Sequence, residues 1–289
     1  WFISMTMWLI RIAFTGYRRI CGLSTSIRVC GSAVTGEGIL ELKERLGALA
    51  PKDGGRKLLS DLVSPDGLVV LVTPIDESAP KGRMILPQVQ TIRDVLDGDA
   101  CCVVVKETQL AGLLSSLGRK PDMVVTDSQA FAVVSKIVPE DIPLTSFSIL
   151  MARCKGFLET AVHGAAALKR LQAGDKVLIS EGCTHHRQCG DIGAVKLPRW
   201  LRAYSGADIS VELSSGMGFP EDLGGFSLVL HCGGCMLSER EMLYRMKCAQ
   251  DQGIPFTNYG VAIASFSKAF LPFSPFSSMT KLTYAFSTP

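Results

Sequence analysis

The sequence predicts an α/β fold built from two small units in tandem, each a parallel sheet covered by helices. Short apolar runs without polar alternation, which are typical of strands buried on both faces, alternate with stretches whose apolar residues recur at helical spacing. This alternation occurs over residues 67–149 and again over residues 150–264. A hydrophobic content of 47% in 289 residues is enough for one large core or two modest ones.

The first unit follows a linker, residues 51–66, which is rich in proline and glycine and contains a short helical pattern at 57–63. Each apolar run of this unit is separated from the next by one helical stretch, as in βαβ units. In chain order the predicted elements are strand 68–72, helix 82–96, strand 100–105, helix 108–117, strand 123–126, helix 128–137 and strand 144–147.

The second unit repeats the pattern. Ser238 and Glu241 form a capping-box signature at the start of its last helix. The predicted elements are helix 157–171, strand 176–180, helix 195–204, strand 209–213, strand 226–230, helix 239–252 and a final strand within 253–260. Residues 265–289 are rich in Phe, Ser and Pro without periodicity, and we expect an aberrant or disordered tail there.

Residues 1–30 give no interpretable pattern, and the apolar stretch 1–14 is too short to span a membrane and contains Arg11. The loop 31–38 and the helical pattern after it resemble the last guanine-contacting loop and final helix of a small GTPase. The resemblance implies that residues 1–50 are a remnant of a P-loop GTPase domain. The sequence has no G-x-x-x-x-G-K-[ST] loop and no N-K-x-D, so we expect no GTP hydrolysis by this chain.

Two short segments concentrate the metal-binding residue types. Cys183-Thr184-His185 and His231-Cys232-Gly233-Gly234-Cys235 form a C-x-H and an H-C-x-x-C motif separated by 45 residues. With their neighbours they contain three of the four histidines and four of the ten cysteines, more than packing alone would place there.

Both motifs come directly after apolar runs that predict strands. Loops at the carboxyl ends of parallel strands meet at one edge of the sheet, so we expect the motifs to approach each other. The glycines of the second motif allow a tight turn that directs amide N–H groups toward the sulfurs. The pattern predicts a metal or iron–sulfur site.

Two other interpretations remain for these residues. Cysteine and histidine at such spacing also suit a structural zinc site. A dithiol redox pair at Cys232 and Cys235 would leave Cys183 and the histidines without a role. Ten cysteines in a chain of this length indicate a reducing compartment, the cytoplasm, and a net charge of +3 gives no indication of nucleic-acid binding.

The paired motifs, together with the surrounding segments 191–193, 196–200, 219–223 and 257–262, resemble the HydF family of FeFe-hydrogenase maturation GTPases. The similarity covers residues 31–264. It implies a GTPase domain, a dimerisation domain (67–149) and a domain that holds a 4Fe-4S cluster (150–264).

The resemblance also implies a function and a ligand set. Such proteins are scaffolds that receive a di-iron precursor of the H-cluster from radical-SAM maturases and deliver it to apo FeFe-hydrogenase. Cys183, Cys232 and Cys235 would be the thiolate ligands, and His231 and His185 are candidates for an exchangeable fourth ligand. Asp191 is the local candidate for an oxygen ligand. The implied assembly is a homodimer.

Overall fold

A computed structural model describes residues 9–11, 28–30, 35–49, 56–75, 83–183 and 191–266. The chain divides into two compact units, Trp1–Gly55 and Arg56–Pro289. In the first unit, β1 (Leu9–Arg11) pairs antiparallel with β2 (Arg28–Cys30), and α1 spans Ile39–Leu49. The predicted helix at this position is confirmed.

The larger compact unit, Arg56–Pro289, contains two four-stranded sheets within its described residues. Every strand pair in these two sheets is parallel. This confirms the predicted α/β class. The first sheet and its helices are β3 (Leu68–Val72), α2 (Leu86–Asp97), β4 (Cys101–Val105), α3 (Leu110–Ser116), β5 (Met123–Thr126), α4 (Phe131–Val134), β6 (Leu144–Ser146) and α5 (Phe147–Cys154).

The second sheet begins shortly after α5. Its elements are α6 (Leu158–Gly164), β7 (Lys176–Glu181), α7 (Leu197–Ser205), β8 (Ser210–Ser215), β9 (Leu228–His231), α8 (Glu239–Asp251), β10 (Phe256–Asn258) and α9 (Tyr259–Phe266). The Ser238 half of the predicted capping box of α8 is confirmed, because its hydroxyl accepts the Glu241 N–H at 3.1 Å, whereas the Glu241 side chain accepts from Arg245 Nε at 2.8 Å.

The two sheets have the same topology. Their strand orders are β4-β3-β5-β6 and β8-β7-β9-β10, so counting from each sheet's first strand gives 2-1-3-4 in both. In each sheet the second strand therefore lies on one side of the first strand, and the third and fourth strands lie on its other side. In such sheets a crevice opens at the carboxyl ends of the first and third strands.

Helices α5 and α9 join the sheets. Each follows the fourth strand of its sheet, and each is capped by the last strand residue: Ser146 Oγ accepts the Ile149 N–H and Asn258 Oδ1 accepts the Val261 N–H. Asn258 Nδ2 also donates to the Ser148 carbonyl at 2.9 Å, which ties β10 to α5. The predicted unit boundary after residue 149 falls inside α5.

Several predicted elements were wrong in type or length. Residues 57–63 form turns rather than a helix, and the predicted helix 128–137 shortens to α4 because an Asx turn at Asp127 precedes it. The long helix 157–171 is α6 followed by a 3₁₀ segment. Helix α6 ends where Gly164 lies against the backbone of Phe256, leaving no room for a Cβ.

Helices α5 and α9 were not predicted. Both are short and mostly apolar, and in such segments periodicity cannot distinguish a strand from a buried helix. Strand β4 was expected to be buried on both faces, but it lies at the sheet edge, and Cys101 is exposed. The predicted tail lies outside the described residues from 267 onward.

Candidate metal centre

The cysteine motifs lie at the crevice of the second sheet. Strands β7 and β9 are its first and third strands and pair directly, with Ser180 opposite His231. Gly182 and Cys183 come after β7, and the segment Cys232–Cys235 comes after β9. The predicted convergence of the two motifs therefore holds for their cysteines.

Two backbone amides point at the Cys232 sulfur. The Gly182 N–H donates to Sγ at 3.1 Å, and the Gly234 N–H donates to it at 3.3 Å. Gly234 has φ +64, and a Cβ there would lie 2.4 Å from Met242 Sδ, so the turn needs glycine. The prediction that glycine would direct amides at a sulfur is confirmed.

The electrostatics of Cys232 reflect burial and its sulfur neighbours. Burial raises the pKa of the Cys232 thiol to about 12, the two amides oppose this rise, and Cys183 and Cys235 add to it. Because charge interactions weaken with distance, Cys183 and Cys235 each lie close enough to Cys232 to affect its thiol. Without metal the Cys232 thiol is protonated, so metal binding there would release a proton.

The Cys235 side of the site rests on the first sheet's helix α5. Burial raises the pKa of Cys235, while the Met236 amide and the Lys155 ammonium oppose it. Lys155 Nζ donates to the Leu237 carbonyl, and Gly233 packs beside Ser148 of α5. Cys235 also packs against the apolar core that includes the α5 residues 150 and 151.

The described residues contain no group of three or more His, Cys, Asp or Glu side chains arranged to hold a metal ion. His185 lies in the segment 184–190, outside the described residues. In donor chemistry, cysteine thiols on two adjoining loops, one of them with two directed amides, fit an iron–sulfur cluster, which takes cysteine thiolates and accepts N–H donors at its sulfurs.

His231 is fully buried, at 0% exposure. Its Nδ1 lies 2.9 Å from the Cys232 carbonyl oxygen, and its Nε2 lies 3.2 Å from Nη1 of Arg245. The pKa of His231 is lowered to about 4, because burial and the Arg245 charge together outweigh the opposing hydrogen bond to the Cys232 carbonyl. The ring is therefore neutral near pH 7.

Near Cys232 lie Tyr259 and Glu181, which the sequence analysis did not identify, and Asp191, which it named as a candidate oxygen ligand. The Tyr259 hydroxyl donates to Glu181 Oε1 at 3.4 Å, with both residues buried. The pKa of Tyr259 is raised well above its usual value, first by burial and then by Cys232, Glu181 and Asp191. Asp191 Oδ1 accepts the Ala194 N–H at 2.7 Å at the start of a π-helical turn.

Arg245 was also missed, although the sequence carried a signal. The buried stripe of α8 is formed by Met242, Arg245 and Ala249, at helical spacing. An arginine on the apolar stripe of a helix needs buried partners, so its position in the pattern identifies it as part of an internal polar network.

Comparisons with known proteins agree with these observations. Residues 58–156 match a family model described as the Hydrogen maturase F dimerization domain. Residues 159–272 match the Hydrogen maturase F tetramerization domain, and the two matches together cover well over half of the chain. A comparison with curated proteins gave no match. No helix in the described ranges is long and apolar enough to cross a membrane.

Proposed function

Because the chain belongs to the HydF family of hydrogenase maturation proteins, we propose that it is a cluster-bearing scaffold that carries a di-iron precursor of the H-cluster to apo FeFe-hydrogenase. The observation that carries this proposal is that the two cysteine motifs meet at the crevice between β7 and β9, where the Gly182 N–H, next to Cys183, donates to Cys232 Sγ at 3.1 Å. Cys183, Cys232 and Cys235 are the proposed ligands of a 4Fe-4S cluster.

The residues around the crevice have separate tasks in this proposal. The amides of Gly182 and Gly234 stabilise negative charge on the Cys232 sulfur, and the Lys155 ammonium offsets charge near Cys235. When bound, a cluster held by three thiolates keeps one iron with a replaceable ligand. His185 and His231 are the candidates for that fourth position.

The family models name two oligomerisation domains, which indicates that the chain forms oligomers. We place a homodimer contact within residues 58–156, and propose radical-SAM maturases and apo FeFe-hydrogenase as partners in a reducing cytoplasm. GTP belongs to the family's GTPase domain. Because this sequence lacks a phosphate-binding loop, no GTP hydrolysis is proposed for it.

Delivery is tested by mixing the full chain, loaded by the maturases, with apo-hydrogenase under anaerobic conditions. Hydrogen evolution should appear with the wild type and be absent with Cys232→Ser, while Cys102→Ser, a half-buried cysteine of β4, should match the wild type. Equal activation by wild type and Cys232→Ser would contradict the scaffold function.

The alternative is a structural zinc site built from the same cysteine and histidine residues. It predicts a colourless protein with about one zinc per chain that contributes to folding and activates no hydrogenase. Metal analysis of the purified chain before any reconstitution distinguishes the two.

A further inference from the structure

His231 and Cys232 are adjacent in the H-C-x-x-C motif but face opposite sides of the sheet. The Cys232 N–H donates to the Ser180 carbonyl at 2.9 Å, so the ladder between β7 and β9 continues one residue past β9. Consecutive side chains on a ladder point to opposite faces. In agreement, the His231 ring stacks on Phe256 with centroids 5.9 Å apart, whereas the Cys232 sulfur contacts the Gly182 amide.

The contacts of the His231 ring fix its tautomer. A guanidinium group has only donors, so Nε2, 3.2 Å from Nη1 of Arg245, must accept that hydrogen bond. In the neutral ring the proton then resides on Nδ1, which donates to the Cys232 carbonyl at 2.9 Å. Both ring nitrogens are thus engaged within the protein.

Arg245 is itself held in place. The side chain is fully buried, and Nη2 donates to the Gly216 carbonyl at 2.6 Å while Nε donates to Glu241 Oε1 at 2.8 Å. Its guanidinium lies over the Phe219 ring, 5.2 Å from the centroid. If His231 Nε2 turned toward a metal, Arg245 Nη1 would lose this hydrogen-bond acceptor. Part of the buried guanidinium charge would then be unsatisfied.

We infer that His231 is a positioning residue rather than a metal ligand: it holds the carbonyl of Cys232, and with it the C-x-x-C turn, while Arg245 fixes its tautomer. The fourth position of the cluster is then supplied by another group. This inference rests on the proposed function only in naming a cluster as what the turn holds. The hydrogen-bond chain Arg245–His231–Cys232 exists without metal.

The first test uses the metal-free full chain with isotope-labelled histidine. The chain has four histidines, so the NMR signal that disappears in His231→Asn identifies His231. We expect a single neutral tautomer with the proton on Nδ1, and we expect Arg245→Met to shift the Nε2 signal. A proton on Nε2, or a mixture of tautomers, would overturn the inference. This result does not depend on whether the chain binds iron.

The second test uses the reconstituted protein and pulsed EPR with ¹⁴N- or ¹⁵N-histidine. The side-chain amide introduced by His231→Asn can donate to the same carbonyl, so this variant should assemble the cluster and keep the wild-type nitrogen couplings. His231→Ala should lower metal affinity roughly 10–100-fold. The exposed His163→Asn is the matched control and should change neither quantity.

Two results would contradict the positioning role. One is the loss of a histidine nitrogen coupling in His231→Asn while the cluster remains, which would identify His231 as a ligand. The other is a loss of cluster in His231→Asn as complete as in Cys232→Ser. If the wild type binds no iron at all, the scaffold proposal fails, and the tautomer measurement still decides the inference.

Discussion

The two parallel sheets share one strand order and differ in the residues at the carboxyl ends of their central strands. In the first sheet, Thr73 comes after β3, and Asp127 and Ser128 come after β5. In the second sheet, glycine and cysteine occupy the equivalent places after β7 and β9. The topology thus supplies the crevice twice, and the loop sequences decide which crevice carries the cysteines proposed as metal ligands.

The largest expected difference between the two crevices is in iron binding after removal of one thiol. Cys232→Ser should reduce iron bound after reconstitution from about four per chain to less than about one, because a cubane needs its thiolates. Ser128→Ala, at the equivalent crevice of the first sheet, should keep the wild-type iron content. Iron and sulfide analysis measures both, and full iron content in Cys232→Ser would contradict the assignment of the crevice.

The buried arginine of the second sheet gives the next effect. Arg245→Met should lower the free energy of unfolding of the metal-free protein by about 3–5 kcal/mol, since it leaves His231 Nε2, the Gly216 carbonyl and Glu241 without this partner. The exposed Arg240→Met on the same helix should stay within about 0.5 kcal/mol of the wild type. Urea unfolding measures the free energy of unfolding of both variants. An equal loss of stability in Arg245→Met and Arg240→Met would show that the buried network does not stabilise the fold.

Close packing behind β7 is tested at Gly193. A Cβ there would lie 2.2 Å from Glu181 Oε1 and 2.7 Å from the Tyr259 oxygen. Gly193→Ala should therefore destabilise the fold by about 1–3 kcal/mol through overpacking. Gly225→Ala, where nothing lies within 4 Å of the added Cβ, is the control and should not destabilise. If thermal unfolding shows Gly193→Ala and Gly225→Ala to be equally stable, the close packing described for Glu181 and Tyr259 is incorrect.

The ion pair between Asp61 and Arg153, beside the first sheet, gives the smallest expected effect on stability. Burial alone would raise the pKa of Asp61, but the hydrogen bond and charge of Arg153 outweigh it and lower that pKa below 3.8. Ionised Asp61 therefore stabilises the fold above that pH, and the contribution disappears as the pH falls through the lowered pKa. With Asp61 partly exposed, Asp61→Asn should cost less than about 1 kcal/mol at pH 7.

The pH series on Asp61→Asn checks the sign. The difference in unfolding temperature between wild type and variant should be largest near pH 7 and should close below pH 3.8. A difference that stays constant from pH 7 to pH 3 would mean that the charge of Asp61 contributes nothing.

Much of the fold was predictable because both sheets are parallel and their central strands are buried. The apolar runs of β3, β5, β7 and β9 are recognisable in the sequence as buried strands. The glycines of the C-x-x-C turn also predicted an amide hydrogen bond to a cysteine sulfur, and the structure contains one, from the Gly234 N–H to Cys232 Sγ. Helices α5 and α9 escaped prediction because most of their residues are apolar and buried, which leaves no polar face to give a helical pattern.

The candidate site was predictable in its cysteines and not in its supporting residues. Spacing brings Cys183, Cys232 and Cys235 to one crevice, but it says nothing about which way His231 faces. That depends on the ladder continuing to Cys232 and on Arg245 arriving from α8, both tertiary effects. The positions of His185 and the rest of segment 184–190 stay predictions.

The measurement that tests the central claim most directly is anaerobic reconstitution of the full chain with iron and sulfide, followed by metal analysis and EPR of the dithionite-reduced protein. The account predicts about four irons per chain and the signal of a reduced cubane. Stoichiometric zinc that iron cannot displace would contradict it and would make the crevice of the second sheet a structural zinc site.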